Sequence, residues 1–182
     1  MDEYKFTEEQ RKRVNEIITS QPDDLWNELI YGTSGGDTAF FLEILKQQLG
    51  QYRSLYTAWY GESSIGDEEW GGCFVSWCAN EAGFITKGYY PKFKNLNDGI
   101  NWFKSKGLWQ NSNEVPAVGD TIFLDWHSDG NCDRCGIITD IKDGNIYYIG
   151  ANVTDEKVEN SSVVATDPNH YIMGFGKLSL TP

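Results

Sequence analysis

Glu69-Trp70-Gly71-Gly72-Cys73-Phe74-Val75-Ser76-Trp77-Cys78-Ala79-Asn80 is the stretch whose reading decides the fold. The spacing predicts a helix over residues 71–82, stopped by Gly83. Its first residues, Gly71 and Gly72, leave open space at a helix N-terminus, where unpaired backbone N–H groups favour anions. Cys73 and Cys78 stand five apart, so they point about 140° away from each other around the helix axis.

Outward from this helix the chain divides in character. Toward the N-terminus, Thr7-Glu8-Glu9-Gln10 has the form of a capping box, and Val14, Ile17 and Ile18 continue it as one apolar stripe. A second short helix is expected from Pro22 to Tyr31, carrying Leu25, Trp26, Leu29 and Ile30. Asp37 or Thr38 then caps a third, whose Phe40, Phe41, Ile44, Leu45 and Leu49 predict a core face. Tyr56-Thr57-Ala58-Trp59-Tyr60-Gly61 reads as an aromatic, irregular lead into the central helix. Beyond it, Asn97 to Lys106 predicts another helix, ended by Gly107, with Trp102 and Phe103 turned inward. Val115-Pro116-Ala117-Val118-Gly119-Asp120 is a turn launching a strand over 121–125. Further strands are expected at 134–141, 145–150, 157–159 and 171–175, with Asp143-Gly144 as a hairpin turn. Helices followed by antiparallel strands indicate an α+β fold: a helical extension over residues 1–50, then a main domain over 51–182.

Seven Trp, ten Tyr and nine Phe in 182 residues fit a compact globular protein. The formal net charge of -12, from 27 acidic against 15 basic residues, argues against a nucleic-acid partner. It also opposes adhesion to anionic membranes, and it keeps the protein soluble. No apolar run of about 18 residues occurs, and residues 1–21 carry charges throughout. The expectation is a protein made for the cytoplasm, released only by lysis or injection. Cys73, Cys78, Cys132 and Cys135 have spacings that invite a zinc reading, but reduced thiols fit a chain with no visible secretory signal better. No cofactor is expected. Asp125, Asp129 and Asp133 lie in a run resembling a calcium loop; His127 replaces the second acid and the closing glutamate is missing, so a carboxylate-rich turn is the preferred reading.

From about Tyr56 to Gly176 the chain resembles a CHAP domain, the cysteine- and histidine-dependent amidohydrolase/peptidase module of many bacterial and phage peptidoglycan hydrolases. The resemblance rests on Trp59-Tyr60-Gly61, on Trp70 with Phe74 to Asn80, and on Pro91-Lys92-Phe93 and Asn101-Trp102-Phe103-Lys104. It continues through Pro116 to Asp120, Phe123-Leu124-Asp125-Trp126, Asp129-Gly130-Asn131, Gly136-Ile137-Ile138 and Gly174-Phe175-Gly176. It implies a papain-like fold and nucleophilic attack on an amide, with a cysteine at a helix N-terminus, a histidine base on a facing strand and a polar orienting residue on the next. By the resemblance those three positions fall at Gly71, Arg134 and Gly150, with Asn152 retained from the family pattern. Glycine has no atom that can attack a carbonyl, and an arginine cannot accept the proton. The resemblance therefore implies a pseudoenzyme.

Two uses of such a scaffold follow. In one, the emptied cleft or the N-terminal helices bind a peptidoglycan peptide or a protein partner, with Arg134, Trp70, Trp126, Tyr60 and Asn152 as the candidate ligand pocket. In the other, the chain is an active peptidoglycan amidase or endopeptidase working through a rearranged site, for which Cys73 and His127 are the available groups. Period-two alternation places Arg134, Gly136 and Ile138 on one strand face, and Gly150 and Asn152 on one face of the next strand.

Overall fold

The computed structural model describes residues 38–62, 64–167 and 169–180; the two helices expected within residues 1–37, Trp26 among them, lie outside the described residues. Residues Gly36–Pro182 make one compact unit. Among the described residues, four helices come first: α1 (Thr38–Gln47), α2 (Arg53–Tyr60), α3 (Trp70–Glu81) and α4 (Leu96–Ser105). Six strands follow: β1 (Trp109–Asn111), β2 (Thr121–Leu124), β3 (Arg134–Lys142), β4 (Asn145–Asn152), β5 (Lys157–Val164) and β6 (Ile172–Gly176). They form one antiparallel sheet in the order β1-β6-β2-β3-β4-β5. The α+β expectation holds.

Both faces of the sheet are apolar. Phe123, Cys135, Ile137, Ile149 and Val158 face the helices and share a core with Phe41 of α1 and Phe74 of α3. Ile122, Leu124, Ile138, Ile146, Tyr148, Val163, Ile172 and Phe175 point the other way and form a second cluster, against which Trp126 packs. Each fully buried Phe, Leu or Ile contributes about 1.5–3 kcal/mol, so these two clusters carry the fold.

Local chemistry explains the joints. Asp143 and Gly144 both take positive φ, 52° and 75°, as a two-residue hairpin between β3 and β4 requires. Asp120 is buried, and its carboxylate accepts from Ala117 N–H at 2.8 Å and Leu178 N–H at 2.9 Å, tying the turn before β2 to the chain after β6. The Asn95 side chain caps α4 by accepting from Asn97 and Asp98 N–H.

Three expectations need correction. Tyr56 to Tyr60 is helical rather than irregular: α2 buries Tyr56 and ends at Gly61, whose φ of 88° makes a left-handed cap. Leu49 is 38 % exposed because α1 stops at Gln47, before the periodic face reaches it. Strand β5 runs on to Val164, since its whole length pairs with β4.

Candidate functional site

The start of α3 is built by close backbone approach. A Cβ on Gly72 would collide with the backbone of Lys94, so only glycine lets the helix lie this close to that segment. One turn on, the buried Ser76 hydroxyl donates to Phe93 C=O at 2.8 Å and accepts from Phe93 N–H at 2.9 Å. Those two contacts lock α3 to the extended segment before α4. Trp70 is fully buried and stacks on Tyr56, ring centroids 6.4 Å apart, and its Nε1 finds no partner among the described residues.

Gly71 faces the sheet. A Cβ there would meet Ala151 Cβ and Cys135 Sγ, each at 3.6 Å, which is ordinary van der Waals contact. The residues opposite the start of α3 are therefore Cys135 on β3 and Ala151 on β4. Cys135 pairs across the sheet with Phe123, and Ala151 with Val158, all on the helix-facing side.

Arg134 and Gly150 are not there. Arg134 pairs with Leu124 and Gly136 with Ile122, both of which belong to the far-side cluster. Gly150 lies opposite Gly136 under the Tyr148 ring: a Cβ on it would approach Tyr148 Cε2 to 3.3 Å. The predicted alternation holds within each strand, since Arg134 and Gly136 share a face, but the face that looks at Gly71 is the other one. Asn152 is committed to its own turn, where Oδ1 accepts from Thr154 N–H at 2.8 Å and Asp155 N–H at 3.3 Å.

The five residues expected to line one pocket are thus divided. Trp70 lies in the helix-side core, and Tyr60 beside it, under the Lys92 ammonium at 4.7 Å from its ring centroid. Trp126 packs on the far side against Tyr171, at 4.5 Å between centroids. Arg134 is half-buried on that far side near Tyr148, whose phenol burial pushes up, opposed by a hydrogen bond with Ser161 and by the Arg134 charge. Sequence reasoning missed Cys135 and Ala151. No polar–apolar contrast could have found them, because residues 135–138 of β3 are buried on both faces.

The thiols are chemically quiet. All four cysteines are free and buried. Burial, with Glu69 the next contributor, pushes the Cys73 thiol up to about 12, and burial takes Cys132 to about 12. Burial likewise holds Cys78 and Cys135 well above the usual thiol range. A reactive cysteine needs the opposite, an environment that favours thiolate. Both histidines sit on loops and are exposed. His127, its side chain 71 % exposed, places Nδ1 2.7 Å from Asp133 Oδ2. His170 precedes β6 in a left-handed conformation, φ 57°.

The acidic run from Asp125 to Asp133 is a self-capped loop. Asp125 accepts from Asp129 and Gly130 N–H, Asp129 from Asn131 N–H, and Asp133 from His127. Among the described residues, no group of three or more His, Cys, Asp or Glu side chains is placed to hold a metal ion.

Comparison with known proteins agrees with this architecture. A family model for the CHAP domain matches residues 63–152, which begin before α3 and end with β4. The crystal structure of Ly7917 superposes with a TM-score of 0.52 at 12 % identity, over 78 % of this chain and 62 % of that one. The crystal structure of Ly7917 with the hydrolyzing product of MDP gives 0.50 at 11 % identity, over 79 % and 63 %. This chain thus spans less than two thirds of the length of those structures, and the likeness is one of fold. No curated protein matches the sequence. With α3 locked through Ser76 and the antiparallel sheet behind it, residues 63–152 match the CHAP domain, and the fold of the chain is similar to that of a CHAP-like domain.

Proposed function

We propose that this chain is a non-hydrolytic CHAP-domain protein, whose role is binding or regulation in the context of peptidoglycan. The observation that carries the reading is the packing at Gly71. Where the family resemblance expects a nucleophile, a glycine stands with Cys135 Sγ and Ala151 Cβ 3.6 Å from its Cβ position. The group across from the helix start is then a protonated thiol and a methyl, and neither can serve as a general base. Cys73, the nearest thiol in sequence, is fully buried and held protonated, which opposes a relocated site.

The ligand class favoured by the family relationship is a peptidoglycan fragment. Ly7917 has been crystallised with the hydrolyzing product of MDP, and this chain shares its fold. Zymography on purified peptidoglycan tests the reading: no clearing is expected from the protein at concentrations where a CHAP hydrolase lyses the wall. Clearing by the wild type that disappears in Cys73→Ala would overturn it. Calorimetry with muramyl peptides then examines the binding role, with heat of association and unchanged ligand afterwards as the expected result.

A further inference from the structure

The sheet face turned away from the helices carries a feature the CHAP relationship does not use. A cavity of about 530 Å³ opens there, between the loop after β1 and the loop joining β5 to β6. That volume is in the range of sites that take a small ligand or one or two side chains. Its apolar floor is Ile146 and Phe175, both members of the far-side cluster. Val115, Pro116 and Ile141 form a rim, and Val115 is 84 % exposed, Ile141 37 %. Val164, 45 % exposed, lines the cavity next door, which shares Asp167 with this one. Exposed large apolar side chains gathered beside a cavity make it a candidate interaction surface.

The charge of the lining is one-sided. Glu114 and Asp167 line the cavity together with His170, and among the described residues no lysine or arginine does. Both carboxylates are held in place. Glu114 accepts from Asn111 N–H at 2.6 Å, and Asp167 from Tyr171 N–H at 2.7 Å and Ile172 N–H at 3.0 Å. The loop bearing Asp167 keeps two non-glycine residues at positive φ, 44° at Asp167 and 57° at His170, a conformation that persists where surrounding contacts over-determine it. An apolar floor with an exposed Glu114 and a buried, backbone-held Asp167 in its lining selects an apolar anchor flanked by cations. A second copy of this chain fits poorly, because each copy carries a net charge of -12 and would bring like charge to the contact.

We propose that this cavity is the docking site for a basic segment of a partner protein, with an aliphatic side chain seated on Ile146 and Phe175 and flanking lysines or arginines facing Glu114 and Asp167. The site lies on the sheet face opposite Gly71, so it is independent of whether a peptidoglycan fragment binds at the start of α3.

The test uses the full chain and a fluorescein-labelled synthetic peptide of alternating leucine and lysine. Two controls accompany it, one with glutamate for lysine and one with serine for leucine. Saturable binding of the leucine–lysine peptide is expected, with amide shifts confined to the two cavity loops and to Ile146 and Phe175. The double variant Val115→Ser, Ile141→Ser changes two exposed rim positions and should weaken binding about tenfold or more. Glu114→Gln keeps the acceptor for Asn111 N–H and should weaken binding several-fold, with a shallower dependence on salt. Equal binding of either control peptide would overturn the proposal, as would shifts spread over the whole surface or unchanged affinity in the double variant. A peptide-free dimer that the double variant dissolves would assign the face to a second copy, and that too would overturn it.

Discussion

At the residue scale, two adjacent glycines do different work. Gly72 is required by contact: the Lys94 backbone occupies the space a side chain would need. Gly71 has room for a methyl at van der Waals distance from Ala151 and Cys135. Gly71→Ala should therefore be neutral, or stabilise by up to about 1 kcal/mol through helix propensity. Gly72→Ala should cost about 1–3 kcal/mol through overpacking against rigid backbone. Urea unfolding of the two variants checks the contrast, and equal midpoints would show that Lys94 moves aside at no cost.

At the scale of elements, α3 is held by hydrogen bonds in addition to apolar burial. Ser76 satisfies both the N–H and the C=O of Phe93, and the site is closed to water. Ser76→Ala leaves two buried backbone groups unpaired and should cost about 1–3 kcal/mol. Faster amide exchange at Phe93, with no change in the global fold, is the accompanying signature. Much of this architecture was legible from residues: the core face of α1, the helix around Phe74 to Ala79, the Asp143-Gly144 hairpin and most strand positions. The parity of the sheet relative to α3 was not. Alternation shows which residues of β3 share a face, but Cys135 and Ile137 are as apolar as Gly136 and Ile138, so neither face announces itself as the one that meets the helix. For the same reason Arg134 could be placed with Gly136 yet not assigned to the side away from Gly71. Helix α2 escaped notice because its eight residues bury a single large side chain, Tyr56, which leaves no periodic stripe to read.

For the whole molecule, the buried thiols set an alkaline limit. Each is raised above the ordinary 9.0, Cys73 and Cys132 to about 12 and the other two well beyond the usual range. The folded state keeps these protons while the unfolded chain releases them. The stabilisation is therefore fully present below about pH 9 and is lost as pH rises beyond it. Each thiol steepens the decline by up to about 1.4 kcal/mol per pH unit. Unfolding free energies measured between about pH 7 and 11 should fall with that sign, and Cys132→Ala should have the shallower slope. A flat profile would mean that the thiols ionise within the fold.

The packing opposite Gly71 also bears on what a cysteine placed there could do. A cysteine placed at residue 71 alone would bring a second thiol close to the buried Cys135, whose Sγ lies 3.6 Å from the Cβ position. With a protonated thiol and a methyl opposite it, that cysteine would have no neighbouring base to activate it. On the reading proposed above, amide chemistry would take coordinated replacement on α3, β3 and β4. The same packing that leaves room for a methyl at residue 71 thus withholds activation from a thiol placed there.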